Sequence, residues 1–212
     1  MKIQLIKSDW RTLNCDALII PLFEDDDFTK GFPHELDQQL DGLLNEMTET
    51  EEWKSKVGEI RILYRPGRLK TPRLILLGAG NFEAYDSGFI RDLIRKAMRK
   101  IKSYDLKKVA VFRRSRIEPI LSAQATVEGI LLATHDSDDY KTENKSKTYI
   151  EEIVFATDQD LDSKEVEQAL HRGEILAQAT NLARQLVNEP GNYFSPTRLA
   201  ETAKEVAENN GL

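Results

Sequence analysis

The sequence predicts an α/β fold, a mixed sheet covered by helices on both faces and ending in a C-terminal linker helix. Two patterns predict it. Segments with strand character alternate with segments of helical periodicity along the 212 residues. Several of the strand segments are apolar throughout, as strands buried on both faces are.

"KIQLIK" (2–7) alternates apolar and polar residues and reads as a strand. "DALIIPLF" (16–23) is a continuous apolar run and a buried strand. "HELDQQLDGLLNEM" (34–47) places Leu36, Leu40, Leu43, Leu44 and Met47 at the 3–4 spacing of one amphipathic helix. "GEIRILY" (58–64) is a strand closed by "RPG". "RLILLGAG" (73–80) is a buried strand running into glycines. A helix follows over 86–104, capped by Asp86 or Ser87, with Leu93, Ile94, Ala97, Met98 and Ile101 on its apolar stripe. "KKVAVF" (107–112) is the next strand, and 118–135 a helix with Pro119 in its first turn. "YIEEIVFAT" (149–157) is the last strand. A long helix, started by Ser163, spans 163–189. The final helix has Ser195 as N-cap and Pro196 at its first position, and Gly211 ends it. An α/β chain ordinarily follows such a helix with another strand, so the expectation is a piece of a longer protein. The organisation is a body over 1–160 and a long helix plus linker helix over 161–212.

Composition excludes several classes. Apolar residues make up 40% and charged residues 31%, as in a globular chain able to bury a sizeable core. No run approaches the roughly 18 apolar residues of a membrane span, so no membrane role is expected. The opening "MKIQLIKSDW" lacks a signal-peptide apolar core. A cytoplasmic location is expected, and the single cysteine, Cys15, agrees, since it allows no internal disulfide. Cys15 reads as a small buried thiol at a strand start.

Motifs for chemistry are scarce. Gly78 and Gly80 lie where phosphate-binding loops sit, after a strand and before a helix. The Walker pattern fails there, and position 83 is Glu where a dinucleotide fingerprint needs Gly. A tight strand-to-helix turn is the plain reading, with a phosphate- or ribose-type ligand as the alternative. His135, Asp136, Asp138 and Asp139 form a polar cluster that reads as a solvated helix exit, with a metal site as the alternative. His34 and His171 are isolated. There is no His-Glu-x-x-His, no cysteine pair and no Gly-x-Ser-x-Gly. No residue of this chain is therefore assigned a catalytic, cofactor-binding or metal-binding role.

The net charge of −6 hides an asymmetry. Residues 91–116 hold eleven Lys and Arg against Asp92 and Asp105. Arg91, Arg95, Arg99 and Lys102 share one helix face, which reads as a solvated face or as a contact for nucleic-acid phosphates.

The closing stretch is more specific. Asn181, Leu182, Ala183, Arg184, Leu186, Val187 and Asn188 end a helix, followed by Pro190, Asn192, Ser195, Pro196, Leu199 and Ala200. This run resembles the segment that joins the two domains of leucyl (cytosol) aminopeptidases. Upstream, the Gly78–Gly80 turn, Glu128–Gly129 and the Asp138, Asp139, Tyr140, Lys141 loop resemble the same family in the same order. The resemblance implies an N-terminal domain with a macro-domain-like fold and a linker helix leading into a catalytic domain. That catalytic domain would carry two divalent cations, Zn or Mn, and release N-terminal amino acids from peptides. Its hallmark Asn-Thr-Asp-Ala-Glu-Gly-Arg run does not occur here, so this chain alone is expected to be inactive. The implied partners are its own catalytic domain, a homo-hexamer and peptide substrates. Some bacterial members also bind DNA, and macro domains bind ADP-ribose-type ligands. DNA contact and a stand-alone ligand module are thus the two alternative readings.

Overall fold

A computed structural model describes residues 1–114, 117–135 and 150–211. Six strands form one mixed sheet: β1 (Lys2–Lys7), β2 (Ala17–Leu22), β3 (Ile60–Tyr64), β4 (Arg73–Gly78), β5 (Lys108–Phe112) and β6 (Glu152–Thr157). Their spatial order is β1-β6-β5-β2-β4-β3. All neighbours are parallel except β3, which runs antiparallel to β4. The helices are α1 (Gly31–Gln39), α2 (Leu43–Glu49), α3 (Ser87–Ile101), α4 (Pro119–Thr134), α5 (Ser163–Asn188) and α6 (Pro196–Asn209). This is the α/β class expected, with helices on both faces.

The two-residue alternation of strand side chains divides the core in two. Ile19, Ile75, Val109, Val111, Ile153 and Phe155 point to one face, where they pack against α3, α4 and α5. Leu18, Ile20, Leu22, Leu76, Phe112 and Val154 point to the other, under α1, α2, Trp10 and Trp53. The central strand β2 is buried along its whole length, as its unbroken apolar run requires.

The single helix expected over 34–47 is two helices. Asp41 (φ 55) and Gly42 (φ 86) both adopt the left-handed conformation and break it. The buried Asp37 carboxylate bridges the break, accepting from the backbone N–H of Leu44 at 2.8 Å and Asn45 at 3.1 Å. The apolar spacing survives because Leu36, Leu40, Leu44 and Met47 still face one core. The long helix starts at Ser163 as expected and is capped by Asp162, whose carboxylate accepts from Lys164 N and Glu165 N. The other caps fall as read: Asp86 on α3 and Ser195 on α6.

Candidate functional site

The glycine turn after β4 is closed by the chain's own backbone. Gly78 N–H donates to Glu59 O at 2.7 Å, Gly80 N–H to Ser55 O at 2.9 Å, and Gly80 O accepts from Glu24 N. A Cβ on Gly78 would lie 2.2 Å from Lys56 O, and one on Gly80 would lie 2.6 Å from Val57 Cγ2. The segment 55–59 fills the space that a phosphate would need. The turn uses glycine for close approach and, at Gly80, for a φ of +69°.

The basic face of α3 is engaged with its neighbours. Arg91 donates to Glu128 at 3.1 Å, and the Glu128 side chain is only 9% exposed. Gln124 holds the second oxygen of that carboxylate at 2.8 Å. Arg95 pairs with Asp92 at 3.2 Å. Beside Glu128, Gly129 lets the helices close up, since a Cβ there would lie 2.6 Å from Arg91 O. The Glu-Gly pair read in α4 is thus a helix-packing device: the glycine admits α3 and the glutamate anchors it.

Among the described residues, the remaining candidates do not gather into a group of three or more metal-ligating side chains. His34 Nδ1 lies 2.9 Å from Phe28 O, and its Nε2 meets Gln38. His171 is exposed beside Glu174. His135 ends α4, and Asp136, Asp138 and Asp139 lie outside the described residues. Among the described residues no three His, Cys, Asp or Glu side chains gather as metal ligands. Cys15 is buried against Thr71 at 3.7 Å, and burial pushes its thiol pKa up. That holds it in the unreactive protonated form.

Among the described residues, the arm formed by α5 and α6 carries several of the exposed large apolar side chains. The first half of α5 belongs to the core, through Val166, Ala169, Leu170 and Ala177. Two residues of the closing motif then tie it to the end of α4. Asn181 Nδ2 donates to Leu131 O at 3.0 Å, and Arg184 Nη1 to Leu132 O at 3.3 Å. These bonds reach carbonyls of the last turn of α4, where Leu131 O also accepts from Thr134 Oγ1 at 2.9 Å. Beyond them the arm leaves the body. The turn between the helices is held by Pro190 O, which accepts from Tyr193 N and Phe194 N. Ser195 Oγ caps α6. α6 buries none of its residues, although its apolar side is pronounced. Val187 is 83% exposed, Tyr193 67% and Leu199 50%. A cleft of about 410 Å³ lies between the helices, lined by Leu182, Leu186, Tyr193, Phe194 and Arg198 among others. An amphipathic helix in this state lacks the surface it should cover.

Comparison with known proteins agrees with this picture. The family model for the N-terminal domain of the cytosol aminopeptidase family matches residues 19–144. A probable cytosol aminopeptidase of Alkaliphilus oremlandii is 34% identical over 216 residues, covering all of this chain and 43% of the relative. A probable cytosol aminopeptidase of Solibacter usitatus is 32% identical, again over the whole chain and 41% of the relative. The chain thus spans less than half the length of these relatives. Among solved structures, a tomato leucine aminopeptidase mutant superposes with a TM-score of 0.83 at 25% identity, over 99% of this chain and 42% of that one. The bottromycin maturation enzyme BotP, in complex with Mn, shares the fold, with a TM-score of 0.67 at 17% identity over 93% of this chain and 37% of that one.

Proposed function

Because this chain belongs to the cytosol aminopeptidase family, as its N-terminal domain, we propose that it is the non-catalytic part of a metal-dependent leucyl aminopeptidase. The observation that carries the reading is the α5–α6 arm, an apolar surface left exposed on a chain that spans less than half the length of its relatives. In this reading residues 1–160 form the body, and 161–212 lead into a catalytic domain that covers the arm. The domain contributes to assembly, as a homo-hexamer, and to access of peptides to the active site.

The chemistry belongs to the catalytic portion. Two divalent cations there, Zn or Mn, would activate a water and polarise the scissile carbonyl of an N-terminal residue. Nothing among the described residues fits such a pair of ions, so this chain is assigned no step of the reaction. The cytoplasmic location belongs to the same proposal. Among the described residues no helix is long and apolar enough to cross a membrane.

The alternative of DNA contact through Arg91, Arg95 and Arg99 is less favoured, because Glu128 and Asp92 already engage two of these guanidiniums. The docking reading is tested by mixing the chain with a separately produced catalytic portion and following the complex by sedimentation. Charging the arm, with Val187→Asp and Leu199→Asp together, is expected to abolish association while leaving the body folded. Association unchanged by both substitutions would remove the arm from the interface.

A further inference from the structure

In an open α/β sheet, ligands enter at the carboxyl ends of parallel strands, where neighbouring connections leave on opposite faces. This sheet has three such points. β2 exits toward α1 and α2, β4 toward α3, β5 toward α4, β6 toward α5, and β1 toward the Trp10–Thr12 turn. The β2/β4 point is sewn shut by Ala79 N to Leu22 O and Glu24 N to Gly80 O. The β5/β2 point is plugged. Arg114 donates to Asp26 at 2.6 and 2.7 Å and to Pro21 O, and its guanidinium sits 5.2 Å from the Phe23 ring and 4.5 Å from the Phe32 ring.

The β1/β6 point is open. A cleft of about 500 Å³ lies there, within the roughly 300–1,000 Å³ of small-molecule sites. Its apolar wall is Trp10 against Phe32, with ring centroids 5.4 Å apart. Lys7, Arg11, Glu35 and Asp158 line it with charges of both signs, and Lys7 also pairs with the exposed Asp160 at 2.6 Å. Arg11 is oriented in advance: Asp9 accepts from its Nε at 2.8 Å and pairs with Nη2 at 2.6 Å. Its Nη1 lies 4.0 Å from Glu35, beyond hydrogen-bond distance, which leaves N–H donors on that nitrogen for a ligand. Among the described residues Asp158 makes no ion pair.

We propose that this cleft binds a small zwitterion with an apolar side chain, an α-amino acid or short peptide. Its carboxylate meets Arg11 and Lys7, its ammonium meets Glu35 and Asp158, and its side chain lies on Trp10 and Phe32. Charges of both signs flanking an aromatic wall suit a ligand that carries both charges and an apolar body; a nucleotide would leave the carboxylates facing phosphate. The proposal goes beyond the aminopeptidase reading and does not depend on it.

Calorimetry on this chain with L-leucine, N-acetyl-leucine and leucinamide tests it. L-leucine is expected to bind with a Kd in the millimolar range or tighter, and each probe lacking one charge to bind about fivefold more weakly or worse. Glu35→Gln, at an exposed position that leaves folding intact, is expected to weaken L-leucine about fivefold. No heat from L-leucine up to about 10 mM would overturn the proposal. So would equal binding of N-acetyl-leucine, or an unchanged Kd in Glu35→Gln. None of these readings involves the catalytic portion, so they stand apart from any test of peptidase activity.

Discussion

At the scale of single residues, buried polar groups decide more than the residue counts suggest. The Arg114–Asp26 pair has side chains only 12% and 9% exposed. Removing one partner strands the other charge in a dry site, so Arg114→Ala is expected to cost about 3 kcal/mol or more in urea unfolding. Replacing both, as Arg114→Met with Asp26→Leu, should recover most of that loss. No local sequence signal foretold this pair, because its members are 88 positions apart. Cys15 has the opposite character. Its raised thiol pKa and burial predict no reaction with an aromatic disulfide reagent in the native protein and full reaction in urea. Asp9 gives a pH effect with a defined sign. The Arg11 guanidinium holds its carboxyl below the ordinary 3.8. The stability it contributes is therefore present above about pH 4 and lost as pH falls through the lowered folded value. Asp9→Asn should remove that part of the acid sensitivity.

At the scale of elements, the strands and most helix ends were legible because local patterning and burial agree. β2 and β4 read as buried runs and are buried, and the caps at Asp86 and Ser195 fall on residues that cap well. The 34–47 helix misled because its apolar spacing fits one helix as well as two. Only the Asp41–Gly42 pair marked the break, and a two-residue signal was outweighed by five apolar positions. Asp37→Ala, which uncaps α2, is expected to cost about 1–2 kcal/mol, measured by urea unfolding. The roles of Asn181 and Arg184 were not legible either. The motif could be matched as a string, but its function, closing the end of α4, exists only when α4 and α5 are packed together. The glycine turn shows the converse: it lies where phosphate-binding loops sit, but it is packed against 55–59, a segment with no local relation to it. α5 and α6 also differ in what they support. Removing residues 190–212 is expected to leave the urea midpoint unchanged, whereas removing 163–212 takes Val166, Ala169, Leu170 and Ala177 from the core and should unfold the body.

At the scale of the whole molecule, the structure is a packed body with an exposed apolar arm and an open cleft at the β1/β6 point of its sheet. Two of the three places where such a sheet could take a ligand are filled by its own atoms. Among the described residues no three His, Cys, Asp or Glu side chains gather as metal ligands, and the arm carries exposed apolar side chains away from the body. In the proposed reading this chain positions a catalytic domain without doing its chemistry. The most direct test is release of p-nitroaniline from leucine p-nitroanilide, with Mn²⁺ or Zn²⁺ present, by this chain alone and by a polypeptide that also carries the catalytic portion. Hydrolysis is expected only from the longer polypeptide. Metal-dependent hydrolysis by the 212 residues alone would contradict it.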